Sequence, residues 1–334
     1  AFTAACVDAV KTVARELAGL NGLHVVVGHP QGGDDRTKSV AVQRRFNAAS
    51  VFCEGQLVAQ HIKRELPNYQ VFDERRYFTP GSGVCVFAVE GVQVGLLICE
   101  DAWFEAPARA AKEAGAELLA VINASPFHMG KGGERVLRMA DRARSVALPL
   151  VYAHIVGGQD EVVFDGGSFC VNADGALSGR APSFKENLFF VQTVQAQAAI
   201  ELVATIEPER SLHAELWDAL VLGLRDYVGK NRFPGVLLGL SGGIDSALVL
   251  AIAVDALGKD RVRTVMMPSP YTADISWIDA RDMAARVGVQ YDEISILPEF
   301  EAFKASLAVH FIGRDEDTTE ENIQARIRGT LLMA

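Results

Sequence analysis

Apolar runs and segments with helical spacing alternate along the first half of the chain. Ala4–Ala18 has apolar residues at helical spacing, and the runs that follow are typical of buried strands. We predict strands at Leu23–Gly28, Ala49–Leu57, Val84–Val89, Val92–Cys99, Leu118–Ile122, Val151–Val156 and Phe169–Asn172. Helices are predicted at Ala106–Ala114 and Glu134–Ser145. This alternation, with some hairpins, predicts an α/β sandwich.

The pattern changes after the segment Val191–Pro208, which is less regular than its neighbours. We therefore predict two domains, at residues 1–200 and 201–334. The second begins with a helix and then alternates strands with helices: His213–Tyr227, Gly235–Leu240, Ser246–Leu257, Val262–Met266, Ser276–Val287 and Tyr291–Ile296. A run of βαβ units predicts a doubly wound parallel sheet.

Composition excludes several classes of partner. The net charge of −10 argues against a nucleic-acid-binding surface, which needs clustered Lys and Arg. The longest apolar stretch, Ala247–Leu257, contains Asp255 and is too short to span a bilayer, so no membrane partner is expected. The 5 cysteines form no C-x-x-C pair, which favours reduced thiols and a cytoplasmic location. The apolar content of both halves favours a homo-oligomer.

A cysteine lies at the end of an apolar strand in the string Val94-Gly-Leu-Leu-Ile-Cys99-Glu-Asp-Ala-Trp103. A lone cysteine is usually a buried, inert residue, and position alone favours that interpretation. The acidic pair that follows Cys99 weakens it. Three other strings stand out, although the first alone is equally typical of a charged surface loop: Lys63-Arg-Glu-Leu-Pro-Asn-Tyr69 continuing to Phe78, Asn123-Ala-Ser-Pro-Phe127 followed by Lys131, and the glycine-rich Val156–Phe169.

Taken together, these four strings resemble the glutaminase domain of glutamine-dependent NAD⁺ synthetases, within the nitrilase superfamily. The resemblance covers residues 1–190 and implies a Glu-Lys-Cys triad that hydrolyses an amide through a thioester, with Cys99 as nucleophile and Lys63 as the lysine. It implies glutamine contacts from Tyr69, Glu100, Ser125 and Lys131. The family's triad Glu lies in a string like P-E-x-x-x-T-G-Y, which this sequence does not contain. We expect that the sequence begins after it.

A second motif joins an apolar strand to a helix through Ser241-Gly-Gly-Ile-Asp245-Ser246. Glycines let the backbone approach a phosphate closely, and a helix N-terminus supplies free N–H donors and a positive dipole end. Asp245 would repel phosphates unless a cation intervened, so it implies Mg²⁺. A glycine-rich turn with a helix cap is the alternative interpretation of the motif's parts.

The complete S-G-G-x-D-S string resembles the ATP-pyrophosphatase family. That resemblance implies ATP as a substrate, cleaved between the α and β phosphates, and Mg²⁺ as cofactor with Asp245 as a ligand. It implies ATP contacts from Gly239, Leu240, Ser241, Gly242, Gly243, Ile244, Asp245 and Ser246. The string Met266-Met-Pro-Ser-Pro-Tyr271-Thr resembles the family's adenosine-side strand and adds Met267 as an ATP contact, although a strand that ends at a proline is an equally good interpretation of that string alone. Thr318–Gly329 resembles a helix that meets deamido-NAD⁺ and implies contacts from Asn322 and Arg326, although an exposed helix of mixed charge has the same pattern. A second Mg²⁺ carboxylate of the family is not assigned in this sequence.

The two resemblances together imply one reaction sequence. Glutamine is hydrolysed at Cys99, ATP adenylates the carboxylate of deamido-NAD⁺, and ammonia displaces AMP to give NAD⁺. One alternative is a GMP or asparagine synthetase, which has the same ATP loop. Those enzymes pair the loop with unrelated glutaminases, so the I-C-E-D-x-W string distinguishes them. A non-catalytic binding or scaffold protein is the other alternative, suggested by the missing triad Glu.

Overall fold

A computed structural model of the chain describes residues 2–32, 44–69, 71–196, 199–315 and 317–334. The chain divides into two compact units. The first consists of Ala1–Gly157 and Phe164–Leu212, and the second of Gly158–Val163 and His213–Ala334.

Two β-sheets form the centre of the first unit. Its strands are β1 (His24–Gly32), β2 (Arg45–Cys53), β3 (Gln56–Ile62), β4 (Val86–Val89), β5 (Val92–Ile98), β6 (Leu118–Asn123), β7 (Leu150–His154), β8 (Val156–Gln159), β9 (Val162–Asp165), β10 (Phe169–Val171), β11 (Leu177–Arg180), β12 (Gln192–Ala196) and β13 (Ala199–Val203). Its helices are α1 (Phe2–Glu16), α2 (Glu74–Tyr77), α3 (Glu105–Glu113) and α4 (Lys131–Val146). The hairpin formed by β8 and β9 has its tip, Gly158–Val163, in the second unit.

The two larger sheets pack face to face, with helices on the outer side of one of them. Strands β1, β2 and β3 form an antiparallel sheet, and a six-stranded sheet has the order β11-β10-β7-β6-β5-β4 with β5, β6 and β7 parallel. Leu96 and Ile98 of β5 share a core with Val51 of β2, whereas Leu97 faces the core formed with α3 and α4. Alternate strand residues thus fill two cores, and the predicted α/β sandwich is confirmed.

One predicted strand is two strands. The run Ala49–Leu57 contains a tight turn at Glu54-Gly55 that joins β2 to β3, so its prediction as one element is wrong. Both turn residues have positive φ, 50° and 79°, as a two-residue hairpin that matches strand twist requires. Glu is an unusual residue in that conformation, which hid the turn from the sequence pattern.

The compact units change at Leu212, not at residue 200. Strands β12 and β13 pair with each other after the sandwich is complete, and Ile200 and Leu202 of β13 are buried in the core between the two sheets. Burying two large aliphatic side chains there stabilises the hairpin against the first unit by roughly 1.5–3 kcal/mol each.

A parallel sheet organises the second unit. Its elements are α5 (Leu212–Lys230), β14 (Val236–Gly239), α6 (Ile244–Leu257), β15 (Val262–Met266), α7 (Asp274–Val287), β16 (Gln290–Glu293), α8 (Leu297–Leu307) and α9 (Thr318–Met333). The strands are ordered β14-β15-β16, and both pairs are parallel. Leu250 and Ala280 pack α6 and α7 in one core, while Phe300 and Ile327 place α8 and α9 in a second core with Val265. Helices therefore cover both faces, as predicted for this fold class.

The loop from β14 to α6 makes a left-handed turn at Gly242, where φ is 79°. A Cβ atom at this position would lie 2.2 Å from the backbone oxygen of Ser276. At Gly243 a Cβ atom would meet nothing closer than Ser241 Oγ at 3.4 Å, and φ is −87°. Only the first of the two glycines is therefore required by the backbone itself.

We predict that Gly242→Ala destabilises the second unit and that Gly243→Ala does not. The left-handed backbone alone costs a residue with a Cβ atom ~1–2 kcal/mol, and the contact with Ser276 requires the loop to move as well. The free energy of unfolding from urea titration is the measurement. Equal stability of the two variants would show that the loop relaxes without cost.

Candidate active site

Cys99 begins a sharp bend at the carboxyl end of β5. It is the first residue of a 3₁₀ turn, Cys99–Trp103, and has φ of 48°. A cysteine in this left-handed region is strained, and such strain is concentrated at functional sites. Only 8% of the residue is exposed. The bend therefore presents a nearly buried thiol at a strand end, where α/β folds bind their ligands.

The thiol is held in its protonated form. Burial is the largest influence and raises the pKa of Cys99 to about 11, Lys63 lowers it, and the carboxylates of Glu100 and Glu74 raise it. A hydrogen bond from the backbone N–H of Glu100 also lowers the pKa. Because the pKa stays well above neutrality, attack by this sulfur requires removal of a proton.

Lys63 lies directly after β3 and is 1% exposed. Its Nζ is 2.6 Å from Oε1 of Glu74, the first residue of α2. The second oxygen of Glu74 accepts a longer hydrogen bond, 3.4 Å, from Asn47 Nδ2. The structure thus brings Lys63 and Cys99 into electrostatic contact and gives the buried lysine a carboxylate partner.

Glu74 was not singled out from the sequence. It lies inside the quoted string Lys63–Phe78 but was treated as part of a charged loop. The adjacent residues Asp73, Arg75 and Arg76 are also charged, and their spacing does not distinguish Glu74 from Asp73. No sequence signal separates it from its neighbours: only the fold shows that Lys63 is buried, and a buried ammonium requires a carboxylate within reach.

Tyr69 and Glu100 are hydrogen-bonded to each other. The Tyr69 hydroxyl donates to Glu100 Oε1 over 2.8 Å. Burial, followed by this hydrogen bond and the charge of Glu100, raises the pKa of Tyr69, so the phenol stays protonated. Tyr69 is 50% exposed and Glu100 9%, so an exposed aromatic side chain is hydrogen-bonded to a nearly buried carboxylate next to Cys99 in the sequence.

Ser125 belongs to a buried polar cluster that the sequence did not reveal in full. Its hydroxyl accepts hydrogen bonds from Asn123 Nδ2 at 3.0 Å and from Arg135 Nε at 3.2 Å. Arg135 is 2% exposed and makes a bidentate contact to Asp165, at 2.9 and 2.7 Å. Both acceptor positions of the Ser125 hydroxyl oxygen are therefore in use. Its proton remains available for donation to another group.

His154 lies beside this cluster, with Nε2 3.5 Å from Asp165 Oδ1. Burial and the neighbouring Arg135 lower the pKa of His154 to about 4, and Asp165 opposes them. The imidazole is therefore neutral at physiological pH.

Lys131 starts α4 beside the end of the nucleophile turn. Its Nζ is 3.0 Å from Glu134 Oε2 and 4.3 Å from the centre of the Trp103 ring. The ammonium is thus held by one carboxylate and one aromatic face. Its side chain is 29% exposed, so this cation has access to solvent.

The glycine-rich loop of the second unit has a closed set of internal hydrogen bonds. Ser241 Oγ and Ser246 Oγ are 3.0 Å apart, Gly243 N–H donates to Ser241 Oγ, and Ser246 Oγ donates to Gly243 O. Asp245 is exposed in the first turn of α6, and none of these bonds uses it. The loop, with Gly239, Leu240 and Ile244, sits at the N-terminus of a helix of 14 residues, a favourable place for a phosphate.

The other predicted ligand contacts of the second unit lie on or near α9. Arg326 is exposed, and its guanidinium lies 3.1 Å from Asn322 O and 3.3 Å from Asn322 Oδ1. Arg328 is engaged elsewhere, since its Nε donates to Met267 O at 3.0 Å. Met267 itself is 6% exposed in the core with α9.

A family model described as carbon-nitrogen hydrolase matches residues 8–204, more than half of the chain. The chain belongs to this family. A second family model, NAD synthase, matches residues 216–334 of the chain.

Similar proteins combine the same two parts. The chain is 45% identical over 336 residues to the glutamine-dependent NAD(+) synthetase of Xylella fastidiosa, covering 100% of this chain and 60% of the relative. It is 45% identical over 291 residues to the synthetase of Acinetobacter baylyi, covering 86% and 53%. The solved structure of the Acinetobacter baumannii glutamine-dependent NAD+ synthetase with ADP has a TM-score of 0.90 and 40% identity, covering 98% of this chain and 61% of that chain.

These matches confirm the resemblance predicted from the sequence. The chain spans about 60% of the length of the first relatives that it matches. The individual residue roles remain predictions, and the geometry above describes where each side chain lies.

We predict that alkylation of Cys99 by iodoacetamide keeps accelerating as the pH rises through 9, toward its pKa of about 11. The thiolate is the reacting form, and a raised pKa shifts its appearance to higher pH. Peptide-resolved mass spectrometry measures the rate at each pH. A short cysteine peptide, with an ordinary thiol pKa of about 8.5, is the control. If the alkylation rate of Cys99 stopped rising at the same pH as the rate of the peptide, or at a lower pH, the prediction would be contradicted.

Proposed function

We propose that this chain carries the two activities of a glutamine-dependent NAD⁺ synthetase. Cys99 releases ammonia from glutamine, and the second unit uses ATP to adenylate deamido-NAD⁺ before ammonia displaces AMP, giving NAD⁺, AMP, pyrophosphate and glutamate. The observation that carries the proposal is the presence in one chain of a strained, strand-end cysteine beside a buried lysine and of a phosphate-type loop at a helix N-terminus.

The amidase step begins with attack of Cys99 Sγ on the carboxamide carbon of glutamine. The C–N bond then breaks, ammonia leaves with the proton that the thiol has given up, and water hydrolyses the thioester to glutamate. Lys63 stabilises the oxyanion of each tetrahedral intermediate. Glu74 holds that ammonium in place, 2.6 Å away. The resemblance implies a triad Glu as the base, in a string that this sequence does not contain.

Glutamine would be held by groups of opposite charge on two sides of the thiol. Glu100, oriented by the Tyr69 hydroxyl, attracts the α-ammonium group. Lys131 attracts the α-carboxylate, and the free proton of Ser125 is a donor for the substrate. Charge-assisted hydrogen bonds of this kind are about twice as strong as neutral ones.

The second unit would bind ATP at Gly239–Ser246 and close to Met267. The backbone N–H groups at the start of α6 face a phosphate, and the ADP complex of the Acinetobacter baumannii relative supports an adenine nucleotide as the ligand class. Asn322 and Arg326 are the proposed contacts for deamido-NAD⁺. Arg326 is the exposed arginine of the pair on α9, which supports it over Arg328.

Mg²⁺ is proposed to bind at Asp245. Among the described residues no group of three or more His, Cys, Asp and Glu side chains is arranged to hold a metal. A single exposed carboxylate still fits, because Mg²⁺ is commonly held by one or two carboxylates together with phosphate oxygens. When bound, the ion would neutralise phosphate charge during adenylation.

The proposed setting of the protein is the cytoplasm, as a homo-oligomer. Within the described ranges, no helix has the length and hydropathy to cross a bilayer. The balance of charge, −10 overall, supports small-molecule substrates over nucleic acid.

We predict that Cys99→Ala in the full-length protein abolishes NAD⁺ formation from glutamine while formation from ammonium salts continues. Cys99 acts only in releasing ammonia, so supplied ammonia bypasses it. NAD⁺ is measured with each nitrogen source in parallel, with Cys53→Ala, at a partly buried cysteine outside the site, as control. Turnover of glutamine by the Cys99 variant would exclude it as nucleophile.

We predict that Asp245→Asn impairs NAD⁺ formation but not glutamine hydrolysis. Asn caps a helix about as well as Asp, so thermal stability should hold, whereas loss of a metal-binding charge should lower NAD⁺ formation with both nitrogen sources by at least roughly tenfold. Glutamine hydrolysis should persist, and added Mg²⁺ should restore part of the rate. An unchanged rate would show that Asp245 merely begins α6.

A further inference from the structure

Asp101, two residues after the nucleophile, is completely buried and uses both carboxylate oxygens. Its Oδ1 accepts hydrogen bonds from the backbone N–H groups of Arg64, at 2.9 Å, and Glu65, at 2.8 Å. Its Oδ2 accepts from His61 Nε2 at 2.8 Å and from Ile98 N–H at 3.2 Å. One side chain thus satisfies four donors, which is the full acceptor capacity of a carboxylate.

The donors lie on both sides of Lys63 in the sequence and directly before Cys99. His61 precedes Lys63, and Arg64 and Glu65 follow it, while Ile98 precedes Cys99. Lys63 extends from β3 of the three-stranded sheet, and Cys99 extends from β5 of the six-stranded sheet. Apolar packing holds the two sheets together but is not directional. The carboxylate adds fixed hydrogen-bond directions at the point where the lysine and the thiol meet.

His61 contributes to this arrangement through one ring nitrogen. It is 2% exposed, its Nε2 donates to Asp101, and its buried Nδ1 has no hydrogen-bond partner among the described residues. A buried polar nitrogen without a partner is costly. In the part of the chain that the structure describes, the bond to Asp101 is the one hydrogen bond of this ring.

We propose that Asp101, oriented by His61, is a positioning residue that sets the place of the Lys63 ammonium relative to the Cys99 thiol during amide hydrolysis. The inference rests on the proposed amidase function. An alternative, purely structural role would stabilise the fold equally well without acting through Lys63. The two roles differ in what happens when Lys63 is already absent.

The first test is a double-mutant cycle on glutamine hydrolysis by the full-length protein, with Asp101→Asn, Lys63→Met and the pair. Asn presents an NH₂ group to N–H donors, so Arg64, Glu65 or Ile98 loses its acceptor. A displacement of ~1 Å in such a site costs about 10²-fold in rate. We expect Asp101→Asn to lower kcat by about that factor with KM little changed, and to cause almost no further loss in the Lys63→Met background.

Glu117→Gln is the matched control for the cycle. Glu117 also accepts a backbone N–H, from Gln93 at 3.0 Å, but it is exposed and lies outside the site. Its kcat should equal that of the unmodified protein. Additive losses in the Asp101→Asn and Lys63→Met pair, or less than a threefold loss in Asp101→Asn alone, would overturn the positioning role.

A second pair of variants applies if Asp101→Asn does not fold. His61→Gln places an amide donor close to the position of Nε2, whereas His61→Leu has none. Gln should therefore preserve kcat and Leu should lower it. Equal kcat values in the two variants would overturn the inference.

Alkylation of Cys99 at fixed pH separates this inference from the proposed function. If the unmodified protein hydrolyses no glutamine, the proposed function fails, but iodoacetamide still reports the effect of Lys63 on the thiol. We expect Lys63→Met and His61→Leu to slow alkylation of Cys99 and His61→Gln not to slow it. If Lys63→Met slowed the alkylation of Cys99 and His61→Leu did not, then His61 and Asp101 would not position the lysine.

Discussion

Burial of the Lys63 ammonium is the constraint on which the first unit depends. An isolated charge loses several kcal/mol of hydration when it leaves water, so it persists only with a close and well-oriented partner. Glu74 supplies that partner at 2.6 Å. Because solvent screens the buried Lys63 charge only weakly, this charge acts more strongly on the neighbouring thiol than the charge of a surface lysine would.

The need for that partner determines the path of the chain after β3. The segment leaves the sheet at Lys63, passes Tyr69 and returns at Glu74. In doing so it brings the Tyr69 hydroxyl to Glu100, and it offers two backbone N–H groups to Asp101. The Lys63 charge, the proposed substrate contact and the buried carboxylate are thus all positioned by this one segment of the backbone.

The sequence predicted the regular parts of this structure because they follow from local patterns. The apolar runs of β5, β6 and β7 and the turn before α6 required no knowledge of distant residues. The hairpin at Glu54-Gly55 was missed because the turn carries an untypical residue.

What the sequence did not predict depends on contacts between distant segments. Glu74 and Arg135 resemble surface residues in a charged string, yet each is paired with a buried or nearly buried charge from another element. Their pairing follows from the packing of strands and helices, which periodicity does not specify. Residue roles predicted by resemblance, such as those of Lys63 and Cys99, depend in the same way on partners that only the folded chain identifies.

The protonated state of Cys99 also has a consequence for damage by oxidants. Peroxide reacts with a thiolate and converts it to a sulfenic acid, and further oxidation is irreversible. Since burial raises the pKa of this thiol to about 11, the resting protein exposes almost no thiolate. A thiol that is protonated at rest reacts with peroxide more slowly than one that is permanently ionised.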